Sequence, residues 1–544
     1  MARSPLTDLL RRIHAAHAES TARGVPVDEV FEQQALRRVA RREFLAAAGA
    51  AGLAGTLAAG LSRPVRALAK TSGAPRIVIV GGGLAGMTCA YRLWQAGIAS
   101  TVYDANAAVG GRTWTLRGFF EDGQITEHGG EFISTEHVAV ANLAREMGLE
   151  LSDFRDAQKP GTEEYYYCRG RGVKYRDMLA EYALVYPKLK AANDAAGYPT
   201  LWNHYNDAGR KLDLMSAREW IEANVPGGTQ STIGWMLDID CTTENGGESS
   251  DQSSLELIYM LAHMPAYNPA SAFYWVGTDE KYGVKGGNDQ IVHRMAAKLP
   301  DSAIKTSAAL VGLRLRPDGS YKCTFESALQ TYDVEADYVV LALPFTTLRR
   351  VDLSRARFDA RKMTAIDKLP LGTNTKIYMQ FHDRMWERLG YNGYTYADTG
   401  YQQTLPTTRT QSGKSGILEF YTGGRVGASF GPASFAPCDP GVARKQLAGL
   451  EPLYPGITAD WNGKAFMDYW TGDRWHKGSY SYWAVGQSTT FAGYERARQG
   501  NVLFAGEHTA VDFQGFMNGA VLTGADAAKD ILAEVHAATA GGGS

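Results

Sequence analysis

Four consecutive apolar residues running into a glycine-rich turn restrict this chain more than any other stretch. Ile77-Val78-Ile79-Val80 are β-formers without alternation, the pattern of a strand buried on both faces. In the adjoining turn, Gly81 allows the tight bend, Gly83 lets the backbone approach a pyrophosphate, and Gly86 permits close helix–strand packing. Ala85 opens a helix that runs to about Gln95, with its positive end aimed at the phosphates, and Gly97 ends it. Ser100 to Tyr103 reads as a second strand that delivers Asp104, placed to accept hydrogen bonds from ribose hydroxyls. A purely structural glycine turn does not explain that carboxylate. The unit is a dinucleotide cradle in an α/β fold.

A second cradle lies near the other end of the chain. Asn501 to Phe504 is a short apolar run into Ala505-Gly506-Glu507-His508-Thr509, and Gly515-Phe516-Met517-Asn518-Gly519-Ala520 opens a helix on small residues. A planar, polar ring fits such a surface. One cofactor gripped by both ends of the chain points to a flavoprotein rather than to an enzyme with exchangeable NAD.

At 544 residues the chain requires more than one core, and its 44% hydrophobic and 21% charged content is that of a globular protein. Its net charge of −2 gives nucleic acid no support as a partner. The five cysteines are scattered without metal-ligand spacing, so neither a disulfide framework nor a metal site is expected. Residues 1–40 form a polar, Arg-rich extension, with Leu9, Leu10 and Ile13 on one face of a helix and no function assigned. In residues 41–69, Arg41-Arg42-Glu43-Phe44-Leu45 precedes an uncharged Ala/Gly/Leu run and then Ala67-Leu68-Ala69. This resembles a twin-arginine export signal with an A-x-A cleavage pattern, and the run is too weakly apolar for a stable membrane span. The expected destination is periplasmic or secreted.

Helices are expected over Glu136–Met147, Met178–Ala196, Ser216–Asn224 and Ser253–Met264, and from Lys285-Gly286-Gly287-Asn288 to about Lys298. Pro317-Asp318-Gly319 turns a hairpin, and Tyr338 to Pro344 is another doubly buried strand. Thr373–Phe381 and Gly416–Tyr421 belong to a separate mixed sheet. Most of the recurring aromatics, among them Tyr165, Tyr166, Tyr167, Trp202, Trp220, Trp235, Tyr274 and Trp275, read as core packing. The cofactor domain is thus assembled from residues 74–133, 283–345 and 495–537, and the substrate domain from 134–282 and 346–494.

Seven markers in one order carry a family resemblance: the glycine fingerprint, Gly110-Gly111-Arg112-Thr113, Glu127-His128-Gly129-Gly130-Glu131-Phe132, Lys285-Gly286-Gly287, Leu341-Ala342-Leu343-Pro344, Leu371-Gly372-Thr373-Asn374-Thr375-Lys376 and Gly478-Ser479-Tyr480-Ser481, together with the terminal segment. From Arg76 to about Leu532 the chain resembles the flavin-containing amine oxidases, which include monoamine, polyamine and L-amino-acid oxidases. The resemblance implies an FAD domain of glutathione-reductase type and a mixed-sheet and helical substrate domain over the flavin. Leu84, Ala85, Asp104, Ala105, Gly111 and Arg112 would line the adenosine–pyrophosphate path, Arg112 as a cation for a phosphate. Gly129, Gly130, Glu131 and Phe132 would run beside the isoalloxazine, and Glu507 would accept from a sugar hydroxyl. Trp475, Gly506, Gly515, Met517, Asn518 and Ala520 complete the expected cofactor set. The helix near Asn518 would point its positive end at the flavin's pyrimidine carbonyls.

For substrate the resemblance implies Phe132, Tyr480, Gly515 and Phe516, with Tyr480 and Phe516 as two aromatic walls flanking the amine. Apolar walls disfavour the ammonium form and ease proton loss. The expected reaction moves a hydride to flavin N5; the imine hydrolyses to a keto product and ammonia, and O2 becomes H2O2. Lys376 would hold a water at N5. It falls on the polar side of the alternation Lys376, Tyr378, Gln380 against Ile377, Met379, Phe381. His508 is a base candidate by position, with a structural role favoured.

Two departures bear on the outcome. Ser479 stands where covalently flavinylated relatives carry cysteine, so the FAD is expected to be non-covalent. Phe132 stands where L-amino-acid oxidases of the family place an arginine for the substrate carboxylate; Arg117 is a candidate substitute. Exported bacterial members favour an L-amino-acid oxidase as the expected activity, and Phe132 favours the alternative, a primary-amine, monoamine or polyamine oxidase. A flavin monooxygenase or a non-catalytic flavin-binding protein is the remote alternative. The expected partners are a small-molecule amine or amino acid and O2, with a homodimer as the expected assembly.

Overall fold

A computed structural model describes residues 5–30, 33, 74–263, 279–431 and 434–541. The export-signal segment 41–69, Tyr274 and Trp275 lie outside the described residues. Strands Ile77–Val80 and Tyr338–Leu341 pair in parallel at the centre of a five-stranded sheet. Val502–Phe504 extends it on one side, and Thr101–Tyr103 and Ile304–Lys305 on the other, all parallel. Alternate residues serve two cores. Ile77 and Ile79 pack with the helix Leu84–Gln95, Val140, Ala528 and Ile531. Val78 and Val80 pack with Phe325, Phe345 and Leu348 beneath a second, four-stranded sheet. Burial on both faces is why these strands read as unbroken apolar runs. The C-terminal helix Met517–Gly541 lies along Leu84–Gln95, so the two ends of the FAD-type fold meet side by side.

The second unit is an eight-stranded mixed sheet with Thr375–Phe381 near its middle, flanked by Gly416–Thr422 and Trp461–Tyr469. Strand register decides which residues become neighbours here. Lys376 stands opposite Tyr421 and Tyr378 opposite Glu419, while on the next strand Gln403 faces Tyr421 and Leu405 faces Glu419. The polar side of the central strand is not solvated, contrary to what polarity alone implies: every residue of Thr375–Phe381 is buried. Tyr378 Oη donates to the Glu127 carbonyl, Gln380 Oε1 accepts from Glu121 N at 2.9 Å, and Gln380 Nε2 donates to Gln124 at 2.9 Å. That face seals against a loop of the FAD-type unit.

Helices fill the rest. Val138–Glu146, Tyr175–Ala196, Ala217–Asn224, Ser254–Ala262 and Gln290–Ala296 fall where their patterns place them. The helix Thr232–Asn245 has no counterpart among the expected elements, although Ser231 caps it and Gly246, at φ 70°, ends it in the left-handed region. It is buried nearly all round, which erases the amphipathic period that would announce it. Trp220 and Tyr166 sit in the core as expected, whereas Trp202 stacks under the Arg361 guanidinium at 3.9 Å. The five cysteines are buried free thiols. Among the described residues no helix is long and apolar enough to cross a membrane.

The N-terminal helix Pro5–Arg23 is part of this body rather than a mere extension. Leu6, Leu9, Leu10 and Ile13 are buried among Met178, Tyr182, Leu189 and Leu257. Its polar residues are docked too: Thr7 Oγ1 donates to Asp240 at 2.8 Å, and His14 Nδ1 meets Tyr182 Oη at 3.2 Å. Burial, with His17, Arg11 and Lys190 adding positive charge and Asp194 opposing them, lowers the His14 pKa to about 3. An unfolded histidine titrates near 6.5, so on acidification the unfolded state takes the proton first. The contribution of neutral His14 is therefore complete above pH 6.5 and is lost as pH falls toward 3. Between pH 7 and pH 5 the stability advantage of the wild type over His14→Asn should shrink by about 2 kcal/mol in urea melts. A pH-independent difference would show that His14 does not titrate in this way.

Candidate active site

Where the two sheets meet, a cavity of about 500 Å³ opens, lined by both units. One end is the glycine turn. Gly81 has φ 105°, and a Cβ there would lie 2.5 Å from the Ala342 carbonyl oxygen, so the turn excludes any side chain. Gly86 does not line the cavity. A Cβ on it would come within 1.9 Å of Gly81 O, which makes it a packing glycine and not a ligand contact. Gly83 differs from both, because the nearest atoms to its added Cβ are 3.9 Å away and it does line the cavity. The open backbone at that point is what close approach of a phosphate requires.

Asp104 is buried in the same wall. Its carboxylate accepts from Gly82 N at 2.6 Å and Asn106 N at 2.7 Å. Burial raises its pKa, and those two amides oppose the rise. A carboxylate has about four acceptor positions, so roughly two stay available for a diol. Ala105, Gly111, Leu84 and Ala85 line this stretch together with Trp475, whose indole lies beside the Arg474 guanidinium.

Arg112 and Glu507 turn out to hold each other. Arg112 Nη1 donates to Glu507 Oε1 at 2.8 Å and to the Ser479 carbonyl at 2.6 Å. Glu507 also accepts from Ser481 N, Ser481 Oγ and Gly515 N, at 3.2, 2.7 and 2.7 Å. Its acceptor positions are thus filled by protein, and it anchors three segments instead of receiving a sugar hydroxyl. Despite burial, the neighbouring Arg112 and these bonds hold its pKa below the ordinary value. Arg112 remains in the cavity wall with Nε and Nη2 unbonded to protein among the described residues.

Gly129, Gly130, Glu131 and Phe132 form the next part of the wall, with Gly506, Gly515, Phe516, Met517 and Ala520 across from them. Gly130 is needed for contact: its Cβ would meet Met517 Cγ at 2.8 Å. Asn518 is displaced from its expected role. It is absent from the wall, and its Oδ1 accepts from Ala139 N and Val140 N, tying down the start of the helix Val138–Glu146. His508 is also outside the wall. It packs edge-on to Phe345, and burial lowers its pKa to about 4, so it is structural and no base for this cavity. Arg117 does not reach either: both its terminal nitrogens bind Asp289, at 2.7 and 2.6 Å.

The far end is built on the large sheet. Lys376 Nζ lies 2.9 Å from Glu131 Oε2, 3.1 Å from the Glu127 carbonyl and 3.4 Å from Glu419 Oε2. Burial disfavours its ammonium, yet Glu131 and Glu419 outweigh that and raise its pKa. Glu419 is itself driven well upward, by burial first and then by Glu131. Tyr480 Oη is hydrogen-bonded to Tyr421 Oη and lies 3.4 Å from the Thr243 carbonyl, and Phe516 packs on His137 with ring centroids 4.8 Å apart. Tyr421, Glu419, Gln403, Leu405 and Glu280 are wall residues that sequence reasoning missed. For the first four the missing information was strand register, since they share one face only once the strands are paired. Glu280 carried no signal beyond its proximity to the Lys285-Gly286-Gly287 marker.

The residues present fit an FAD: an uncrowded glycine backbone, a carboxylate with spare acceptors, free guanidinium hydrogens, and two helix N-termini at Leu84 and Met517. The family described as flavin containing amine oxidoreductase matches residues 84–532. Flavin-containing amine oxidase A of Sus scrofa is 22% identical over 479 residues, covering 84% of each chain. The human amine oxidase B is 23% identical over 475 residues, covering 84% of this chain and 86% of its own length. Among solved structures, putrescine oxidase bound to putrescine is similar with TM-score 0.69 and 22% identity, covering 84% of this chain and 99% of its own. Cyclohexylamine oxidase from Brevibacterium oxydans IH-35A is similar with TM-score 0.70 and 20% identity, covering 85% and 100%.

Replacing Asp104 with alanine removes a charged acceptor and unties the Gly82 and Asn106 amides. FAD retention on gel filtration should fall by 1.5–3 kcal/mol, about the strength of hydrogen bonds to a charged group. A variant that keeps its full flavin complement would exclude Asp104 from cofactor binding.

Proposed function

Because the chain belongs to the family of flavin-containing amine oxidoreductases, we propose that it is an FAD-dependent oxidase of an amine rather than of an amino acid. The observation that carries the choice is the cluster of buried carboxyl groups at the sheet end of the cavity. Among the described residues, Glu131, Glu280 and Glu419 line it against a single lysine, which is already paired. Of the arginines in the wall, Arg112 is held by Glu507, Arg350 donates to the Arg474 carbonyl, and Arg474 lies over Trp475. Burial first, and then neighbouring carboxyl groups, raise Glu280 and Glu419, with Arg409 and Arg155 opposing the rise at Glu280. A substrate carboxylate would add to that unfavourable setting, whereas an ammonium entering there would favour their ionised forms. Phe132 in the wall and Arg117 bound to Asp289 remove the two expected routes to carboxylate recognition. Relatives named for putrescine and cyclohexylamine support the same reading.

Bound FAD supplies a two-electron acceptor for the hydride from the amine-bearing carbon, with O2 as the final acceptor. Tyr480, its hydroxyl fixed by Tyr421, and Phe516, its ring fixed by His137, would clamp the amine from two sides. The absence of a hydroxyl at Phe516 makes one wall wholly apolar, which favours the neutral amine that the reaction needs. Lys376 holds a positive charge at the wall that contains Glu131. None of the five cysteines lines the cavity, and Ser479 Oγ donates to Asn374 at 2.6 Å, which supports non-covalent FAD. Export in folded, flavin-loaded form is the companion proposal from residues 41–69.

A peroxide-coupled screen of putrescine, cyclohexylamine and phenethylamine against the common L-amino acids tests the substrate class. Turnover of amines is expected, and turnover confined to amino acids would overturn the reading. Lys376→Met should keep its FAD but reoxidise at least tenfold more slowly, a difference of about 1.4 kcal/mol, because the cation that steadies electron transfer to O2 is gone. Stopped-flow mixing of the reduced variant with O2 at the wild-type rate would remove Lys376 from catalysis.

A further inference from the structure

The family match begins at residue 84, so the N-terminal helix Pro5–Arg23 is an addition to what the chain shares with its relatives. Its docking is nevertheless that of a core element. Leu6, Leu10 and Ile13, at helical spacing, are each 0% exposed. Four polar contacts fix its register: Thr7 to Asp240 at 2.8 Å, Asp8 to Arg155 at 3.2 Å, Arg11 to the His263 carbonyl at 3.3 Å, and His14 to Tyr182 at 3.2 Å. Arg155 in turn donates from Nε to the Asp279 carbonyl at 2.8 Å, beside the cavity residue Glu280. The helix therefore braces the back of a cavity wall.

Between this helix and the glycine fingerprint runs the segment that carries Arg41-Arg42 and Ala67-Leu68-Ala69. A cut anywhere in it leaves every one of these contacts intact. We propose that the groove on the helical region is a binding site for the chain's own N-terminal helix, and that its interface, not the covalent tether, holds it there. The consequence is a form of the protein made of two chains, in which a cut in the connecting segment leaves the N-terminal peptide bound as a small second subunit.

The experiment uses the full-length, flavin-loaded protein with a site-specific protease sequence inserted into the Ala/Gly run near Gly52 to Gly60. After complete cleavage and gel filtration, the N-terminal fragment should co-elute with the body at one copy per FAD. A fragment that elutes separately overturns the proposal, whether or not the body remains folded. In the same background Leu10→Asp should release the fragment on cutting; co-elution in spite of the aspartate would mean trapping without the interface and would also overturn it. The readout is elution, so it stands or falls independently of the substrate, while the amine screen tests the oxidase reading by itself.

Discussion

The cavity depends on a polar seam between two units that each carry their own sheet and core. On one side is the strand Thr375–Phe381, and on the other the loop from Glu121 to Glu131 of the FAD-type unit. Lys376 and Tyr378 both bind the Glu127 carbonyl, Gln380 binds Glu121 and Gln124, and Lys376 pairs with Glu131. Next to them His128 stacks on Trp114, its Nδ1 2.7 Å from Asp468 Oδ1, while its carbonyl accepts from Trp470 Nε1 at 2.8 Å. Burying polar groups is favourable only where they find partners, so the seam admits one register, although Thr126 Oγ1, His128 Nε2 and Asp468 Oδ2 stay without one among the described residues. Gly129 and Gly130 come directly after, and their placement in the wall is a consequence of this fit.

The same seam concentrates carboxyl groups where water is scarce. Burial raises Glu127 to about 8, although Asn288 N and Thr115 Oγ1 donate to it, and it drives Glu280 and Glu419 well above the ordinary range. Among the described residues Lys376 is the one ammonium set among them, and removing a single member of a buried ionic group leaves its partners uncompensated. Glu280 has a further cost, a backbone in the left-handed region at φ 45°. Strain of that kind persists where the surrounding structure imposes it, and here it belongs to a carboxyl in the cavity wall.

Glu507 plays the matching part at the other end of the chain. It joins Arg112 from the first βαβ unit, Ser481 beside the aromatic wall, and Gly515 at the entry to the C-terminal helix. A charged hub buried with four protein donors is worth more as an organiser than as a ligand contact, because any ligand would have to displace one of them. The glycine-acid pair that resembles a sugar site is instead what brings the two ends of the cradle together.

Local chemistry was enough to define the FAD-type unit. Unbroken apolar strands, the spacing of Gly81, Gly83 and Gly86, and Asp104 at the next strand end all depend on backbone geometry within a few dozen residues, and the structure places them as the pattern requires. Most helices were legible for the same reason; Thr232–Asn245 was not, because uniform burial left no period. Nor could the pattern separate residues that touch the cavity from residues that support it. Gly86, Asn518 and His508 stand within the motifs yet face other protein groups, a distinction that depends on atoms distant in sequence. The sheet end of the cavity was hidden most completely. Alternation showed Lys376 on a polar face, but only antiparallel pairing brings Tyr421, Glu419, Gln403 and Leu405 onto that face, and only the docking of the FAD-type loop turns it from solvent inward. A side chain's period is written in its own strand; its neighbours and its dielectric are set by strands and loops that the chain brings together only on folding.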